Sequence, residues 1–252
     1  LSNLDANHDG IDDAFGTGLT PKDTDADGVF DYFDLDSDND GIFDVVESGY
    51  NAIDANMNGI IDGNPSAFGS NGLFNALETT PDSGILITPI RNTDNDNLND
   101  YLDLDSDADT CSDVIEAGFT DGDGDTLLGN SPLTVNSNGV VTSGINGYTL
   151  PNANYITAAP ISIITPIADQ TTCATANATF TIATNTVDGY QWQVSSDGIS
   201  YSDITSGALY TGFNSATLQI TGATNAMNGY KYRVVLSKNG NTCGKIAVEA
   251  TL

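Results

Sequence analysis

The stretch Asp23–Glu47, DTDADGVFDYFDLDSDNDGIFDVVE, consists of two acidic loops laid end to end. In each loop, oxygen-bearing side chains recur at positions one, three, five, nine and twelve, and glycine stands at position six in both. This is the spacing of a calcium loop, in which the backbone carbonyl of position seven supplies a further oxygen. We predict calcium binding here, and the predicted ligands are Asp23, Asp25, Asp27, Val29, Asp31 and Asp34, then Asp36, Asp38, Asp40, Ile42, Asp44 and Glu47.

Two shorter loops with the same spacing lie on either side of this pair. Their ligands include neutral asparagine oxygens, which predicts weaker binding. The residues are Asp5, Asn7, Asp9, Ile11 and Asp13 before the pair, and Asp54, Asn56, Asn58, Ile60 and Asp62 after it, with Ile11 and Ile60 acting through their carbonyls.

The acidic pattern is then duplicated, because residues 24–50 match residues 93–119 at an offset of 69. We expect two copies of about 68 residues, roughly 23–91 and 92–158, which form an extended array rather than one compact core. Thr110 replaces a position-six glycine and tolerates the left-handed conformation poorly, so its loop is expected to be distorted. The predicted ligands of the second copy are Asn92, Asp94, Asp96, Leu98, Asp100, Asp103, Asp105, Asp107, Asp109, Cys111, Asp113, Glu116, Asp121, Asp123, Asp125 and Leu127.

The paired loops are too close together to be EF-hands. One residue separates Asp34 from Asp36, whereas each EF-hand loop needs a helix on both sides. The loops are therefore expected to wrap successive ions directly, with Tyr32 and Phe33 among the apolar residues that fill the space between them.

The tandem DxDxDG strings resemble thrombospondin type 3 repeats. The phrases DYFDLDSDND (residues 31–40) and DVIEAG (residues 113–118) also resemble acidic repeats of very large surface proteins of gliding bacteria. That resemblance covers roughly residues 1–150. It implies a calcium-wrapped fold and an extracellular protein exported by the type IX secretion system, with a role in adhesion or gliding motility.

Residues 160–252 have a different character. Five acidic and four basic side chains nearly balance there, so residues 1–159 carry almost all of the formal charge of −29. Apolar residues alternate in short segments such as YQWQV (190–194) and YKYRVVL (230–236), which predicts antiparallel strands, including an inward-facing Ile246, Val248 and Ala250. The lone Trp192 and the NGYKYRV phrase resemble the core tryptophan and tyrosine corner of immunoglobulin (Ig)-like sandwiches, with Val234 in place of the second cysteine.

The three cysteines leave the disulfide pattern open. Cys173 and Cys243 flank the predicted sandwich, and we expect them to pair, whereas Cys111 is expected to be a small buried side chain that offers only its carbonyl. The odd cysteine count, with no CxxC motif, argues against zinc and redox catalysis.

Charge and composition exclude several functions. The excess of acidic side chains disfavours binding to nucleic acid and to anionic membranes. No apolar run is long enough to span a bilayer. No nucleophile–base pair is evident, so we do not expect an enzyme. The sequence starts inside a repeat without an initiator methionine, and we expect a piece of a longer protein whose partners include calcium and neighbouring domains of that chain.

Two functions remain. One is a calcium-stiffened stalk or adhesin segment on a bacterial surface. The alternative is an accessory module that binds a glycan or protein, with Tyr201, Tyr210 and Phe213 as a candidate patch.

Overall fold

The computed structural model describes residues 21–252, and the structure is mostly β and irregular, with only short helices. The predicted ligands Asp5, Asn7, Asp9, Ile11 and Asp13 lie outside the described residues. None of the described helices is long and apolar enough to cross a membrane.

The acidic region contains single helical turns rather than long helices. Its two α-helical turns occupy the same place in the two copies, α1 (Asp44–Glu47) and α2 (Asp113–Glu116). Both are preceded by a loop and closed by a residue of positive φ, Gly49 or Gly118. The 3-10 turns are Asn51–Ile53, Pro65–Ala67, Asn75–Leu77, Asp100–Leu102, Ala153–Ile156 and Asn225–Met227.

The two copies pack against each other, so the expectation of an extended array without a core is wrong. Ile42 of the first copy is buried against Ala117 and Tyr155 of the second. A second small cluster forms around Val114, Leu128 and Val141. Backbone hydrogen bonds also join the copies, from Leu35 N to Asn138 O (3.0 Å) and from Leu128 N to Asn39 O (2.8 Å). The physical reason is that loops rich in aspartate still carry apolar side chains at position seven and in the following turn, and these gain free energy by burial.

The aromatic residues expected between the loops are not buried. Tyr32 is 64% exposed and Phe33 is 67% exposed, with their ring centroids 4.3 Å apart. The prediction that they fill the array was wrong, because the copies meet through Ile42 and Leu128 instead.

Residues 160–252 form an Ig-like antiparallel sandwich. Its strands are β1 (Ile163–Thr165), β2 (Ala178–Thr181), β3 (Ala183–Thr184), β4 (Gly189–Ser195), β5 (Ser202–Asp203), β6 (Tyr210–Thr211), β7 (Thr217–Ile220), β8 (Lys231–Lys238), β9 (Asn241–Ile246) and β10 (Ala250–Thr251). One sheet has the order β10-β8-β4-β5 with β9 also paired to β8, the second has the order β2-β7-β6, and β1 pairs with β3.

The sandwich core confirms the alternation read from the sequence. Trp192, Phe180 and Tyr232 are fully buried, and Trp192 lies opposite Val234 in the β4–β8 register. The Trp192 indole N–H donates to Ser215 O at 2.8 Å, which satisfies its one polar group. The sandwich therefore closes around Trp192 without an inter-sheet disulfide.

Two of the three residues predicted to face inward on the last strand, Ile246 and Val248, face outward instead. Ile246 and Val248 are 55% and 71% exposed, whereas Ala247 and Ala250 are buried. Pairing with β8 is interrupted between β9 and β10, where Ala247 N donates to Val234 O at 2.9 Å. Ile246 lies opposite Val235 and Ala250 lies opposite Tyr232, so the register shifts by one residue between them. Ile246 and Val248, before the shift, therefore face outward, whereas Ala250, after it, faces inward as predicted.

Candidate metal centre

Each acidic loop closes on its own backbone through aspartate side chains. Asp25 Oδ1 accepts from Asp27 N at 3.0 Å, and Asp27 Oδ1 accepts from Val29 N at 2.6 Å. An aspartate that bonds the amide two residues ahead forms a local turn. This turn uses one carboxylate oxygen and leaves the other free to face the inside of the loop.

Three of the four paired loops have a left-handed backbone at position six, whereas Asn97, at position six of the loop 92–103, does not have a positive φ. Gly28 and Gly41 have φ of 99° and 92° there, and Thr110 has a φ of 77°. Thr110 keeps the turn expected of glycine, at a backbone strain of about 1–3 kcal/mol. The loop was expected to be distorted at Thr110. The turn is intact, and the strain is confined to the positive φ of Thr110.

The carboxylates of four loops converge, and three of these loops contain buried carboxylate oxygens without hydrogen-bond partners. In the first loop the ligand oxygens of Asp23, Asp25 and Asp27 lie within 4.8 Å of one another, and each residue has one buried oxygen with no hydrogen-bond partner. The same separation holds for the sets Asp36–Asp38–Asp40, Asp94–Asp96–Asp103 and Asp105–Asp107–Asp109. Buried polar groups are normally paired, so this set of unpartnered oxygens is suited to binding a cation.

Position twelve supplies the most deeply buried carboxylates. Glu47 and Glu116 are both fully buried, and neither oxygen of either side chain has a hydrogen-bond partner among residues 21–252. Asp103 is at position twelve of the loop 92–103, and its oxygen lies within 4.8 Å of those of Asp94 and Asp96. Asp34 is at position twelve of the first loop and has one unpartnered oxygen. These residues were predicted as ligands, and the structure places them at the four loops.

Position nine has a role that the spacing did not predict. Asp31 accepts from Thr24 N and Thr24 Oγ1, both at 2.8 Å, so both of its oxygens are occupied. Asp44 accepts in the same way from Ser37. Asp100 and Asp62 likewise accept from residues near the start of their loops. In these loops the position-nine carboxylate holds the loop entrance closed.

The two loops beginning at Asp54 and Asp121 differ from the other four. Asp54 accepts from Asn58 N (3.1 Å) and Gly59 N (2.8 Å), and Asn58 Oδ1 accepts from Ile60 N. Asp121 accepts from four consecutive backbone amides, those of residues 123–126. The side chains of Asp123 and Asp125 accept from Ser131, and Asp125 also accepts from Leu127 N. These carboxylates are satisfied within the chain, so binding there stays a prediction.

Backbone carbonyls complete the four converging loops. The position-seven carbonyls of Val29, Ile42, Leu98 and Cys111 accept no hydrogen bond from residues 21–252, although their amides donate to the position-five carboxylates. Unused carbonyl oxygens at this position are the further ligands that a calcium loop requires.

The electrostatics of these loops are unfavourable without a cation. Burial raises the pKa of Asp25 to about 7 and that of Glu116 to about 8, and neighbouring carboxylates add to both shifts. Burial likewise raises the pKa of Glu47 well above its usual value, followed by repulsion from Asp40 and Asp38. A bound divalent cation reverses this penalty, because it stabilises the ionised form of each ligand.

The disulfide prediction was wrong. Cys111 is bonded to Cys243, and Cys173 is an exposed free thiol. Cys111 stands at position seven of the loop 105–116, and its side chain is directed toward β9, which contains Cys243. Sequence spacing gave no sign of this contact, since 132 residues separate the two cysteines.

The same loop is docked on the sandwich by hydrogen bonds. Asp109 Oδ1 accepts from Asn241 Nδ2 at 3.0 Å, and Asp109 Oδ2 accepts from Ala159 N at 2.9 Å. Both contacts are buried, so the loop 105–116, Ala159 just before the sandwich and Asn241 of β9 form one joint.

The predicted aromatic patch is not an open surface. Tyr210 and Phe213 pack against the sandwich core, and the Tyr201 ring lies under the Arg233 guanidinium at 3.8 Å. These side chains stabilise the sandwich rather than present a platform.

No protein-family model matches the chain, and no curated protein matches it. Among solved structures, the I81 domain of titin is similar at 20% identity and a TM-score of 0.28, covering 37% of this chain and 95% of that domain. A structure described as IG27 protein domain gives 14% identity and a TM-score of 0.30 over 38% of this chain and 95% of its own length. At this level of similarity, the Ig-like character of residues 160–252 stands on their own strand pairing and core.

Proposed function

We propose that the acidic region is a calcium-stabilised, non-enzymatic structural segment that carries the Ig-like sandwich in an extracellular bacterial surface protein. The observation that carries this proposal is the convergence of carboxylates in four loops, three of which contain buried carboxylate oxygens without hydrogen-bond partners. The parent protein is proposed to act in attachment or surface motility, and this role rests on the sequence resemblance alone.

Calcium suits the loops better than other common cations. The groups available to an ion in these loops are carboxylates, the amide oxygens of Asn39 and Asn92, the Ser106 hydroxyl and backbone carbonyls. Hard oxygen ligands in a flexible loop favour Ca²⁺, whereas Zn²⁺ favours histidine and cysteine. The sulfur of Cys111 is already used in a disulfide.

The disulfide supports an exported protein. Cys111–Cys243 links the acidic region to the sandwich, and such bonds persist mainly in oxidising compartments. Extracellular calcium modules have dissociation constants of about 10⁻⁴–10⁻³ M. This range matches the calcium concentration outside cells and not the concentration in the cytosol.

The joint between the two regions supports a stiff spacer. The Cys111–Cys243 disulfide and the hydrogen bond from Asn241 to Asp109 connect the loop 105–116 to the sandwich, and Asp109 also accepts from Ala159 N just before it. A covalent and hydrogen-bonded joint restricts the relative motion of the two regions. The alternative, an accessory module with a binding patch at Tyr201, Tyr210 and Phe213, loses its support because the sandwich uses these side chains itself.

The test is thermal unfolding in calcium and in EDTA, followed by circular dichroism, together with calcium titration by calorimetry. Each ion is expected to stabilise the folded chain by about 3–4 kcal/mol at a hundred- to thousand-fold excess over its dissociation constant. Binding of several ions and a large loss of stability in EDTA support the proposal. Binding of fewer than two ions with no EDTA effect contradicts it.

A further inference from the structure

Asp44 and Asp113 occupy the same position of the two copies but have different surroundings. Both Asp44 oxygens are taken by Ser37, by its amide at 2.8 Å and its hydroxyl at 2.7 Å. Asp113 accepts only from the backbone N–H of Ser106, at 3.1 Å to each oxygen, and the Ser106 hydroxyl has no partner. The Asp113 carboxylate thus has one fewer hydrogen-bond donor at its loop entrance than Asp44 has.

Asp113 instead lies against the first copy. Its ligand oxygen is within 4.8 Å of those of Asp40 and Glu47, and all three side chains are buried. Glu47 is fully buried, and neither of its oxygens has a hydrogen-bond partner. One oxygen of Asp40 is also unpartnered. An unpartnered carboxylate buried in this cluster is an independent sign that a ligand belongs there.

No basic side chain among residues 21–252 compensates this cluster. The nearby Arg91 donates to Val46 O at 2.6 Å and pairs with Asp100 at 3.5 Å, and it forms no ion pair with the three carboxylates. Burying an uncompensated charge costs several kcal/mol, so three carboxylates packed together require a cation or protons. Their oxygens are the ligands preferred by a hard divalent cation.

The packing of the copies holds this arrangement in place. Ile42, two residues after Asp40, is buried against Ala117, four residues after Asp113. Tyr148 of the second copy also donates to Asp36 Oδ2 of the first at 2.6 Å. Formation of the small core between the copies therefore brings Asp113 to the loop that contains Asp40 and Glu47.

We propose that the cation held by Asp40 and Glu47 takes Asp113 of the other copy as a further ligand, so that one ion joins the two copies. This inference rests on calcium binding by the loops and goes beyond it by assigning a ligand across copies. Neither copy completes the site by itself, so the ion stabilises their association as well as one loop.

The test is calcium titration of the full chain by calorimetry in four variants: Asp113→Asn, Glu47→Gln, their combination, and Asp44→Asn as the matched control. We expect Asp113→Asn and Glu47→Gln each to weaken one site at least tenfold, and the double variant to lose that same single site. Asp44→Asn should keep every site within a few-fold of the wild-type affinity.

Two results would overturn the proposal. One is an Asp113→Asn titration that matches Asp44→Asn, and the other is a double variant that loses two sites. If Asp113→Asn does not fold, Asp113→Glu keeps the charge but moves the carboxylate by one methylene. A changed affinity of one site then supports the shared ion, and unchanged affinities contradict it. A wild-type chain that binds no calcium refutes the proposed function itself, so the two failures are distinguishable.

Discussion

The sandwich and the acidic loops bury opposite kinds of side chain. The sandwich centre is made of Trp192, Phe180 and Tyr232, all fully buried, with the Phe180 and Tyr232 rings 4.8 Å apart. The most deeply buried groups of the loops include the carboxylates Glu47 and Glu116. Hydrophobic burial is favourable in water by itself, whereas buried carboxylates need a compensating partner. The comparison teaches that one chain buries two different kinds of side chain, and under the proposed function only the stability of the loops depends on an ion.

The two regions are nevertheless joined through one loop. The loop 105–116 has the carboxylates of a metal site on its inside and Cys111 on its outside, bonded to Cys243 of β9. Its counterpart, loop 36–47, faces the other copy instead. Duplicated sequences have therefore acquired different contacts, one within the acidic region and one to the sandwich.

The largest effect of a single substitution is expected in the sandwich. Trp192→Ala removes a fully buried indole and leaves Ser215 O without its donor, and it should lower the free energy of unfolding by about 3–5 kcal/mol. Urea unfolding followed by circular dichroism measures this loss. Val248→Ala, at a side chain 71% exposed, is the control and should change stability by less than about 0.5 kcal/mol. Reduced calcium affinity in Trp192→Ala would contradict the independence of the two regions.

An intermediate effect is expected at the joint. Cys243→Ser removes the bond to Cys111, which closes a long loop, and should cost about 2–4 kcal/mol. Cys173→Ser is the control because that thiol is exposed and unbonded. Reductant should lower the melting temperature of the wild-type chain and leave Cys243→Ser unchanged. Equal sensitivity of Cys173→Ser would show that the cysteines pair differently.

The smallest effect distinguishes the residues that hold the loop entrance closed from the ligands. Asp31 uses both oxygens on Thr24, whereas Asp25 has one unpartnered buried oxygen in the same loop. Asp31→Asn should lower stability by about 1 kcal/mol, as loss of a cap does, with the number of bound ions unchanged. Asp25→Asn should weaken one calcium site in the same titration. Loss of an ion in Asp31→Asn would make position nine a ligand after all.

The sequence predicts much of each region because both have short-range patterns. Alternation identified Trp192 and Val234 as core residues, and spacing identified Asp25 and Glu47 as groups directed into a loop. These features depend on local backbone periodicity.

Contacts between distant segments could not be predicted in the same way. The Cys111–Cys243 bond and the approach of Asp113 to Glu47 depend on how the copies and the sandwich pack. The distinct role of position nine was also missed. A signal was present in the sequence, because position two is Thr24, Ser37, Thr93 or Ser106 in the four converging loops, and each can donate a hydrogen bond.

The measurement that tests the central claim most directly is amide hydrogen exchange of the full chain in calcium and in EDTA. We predict that EDTA removes protection from the four loops between residues 23 and 116, where ionised carboxylates then repel one another, and leaves strands β4 and β8 protected. Unchanged protection of the loops in EDTA would contradict the account, because the carboxylates would then be stabilised without an ion.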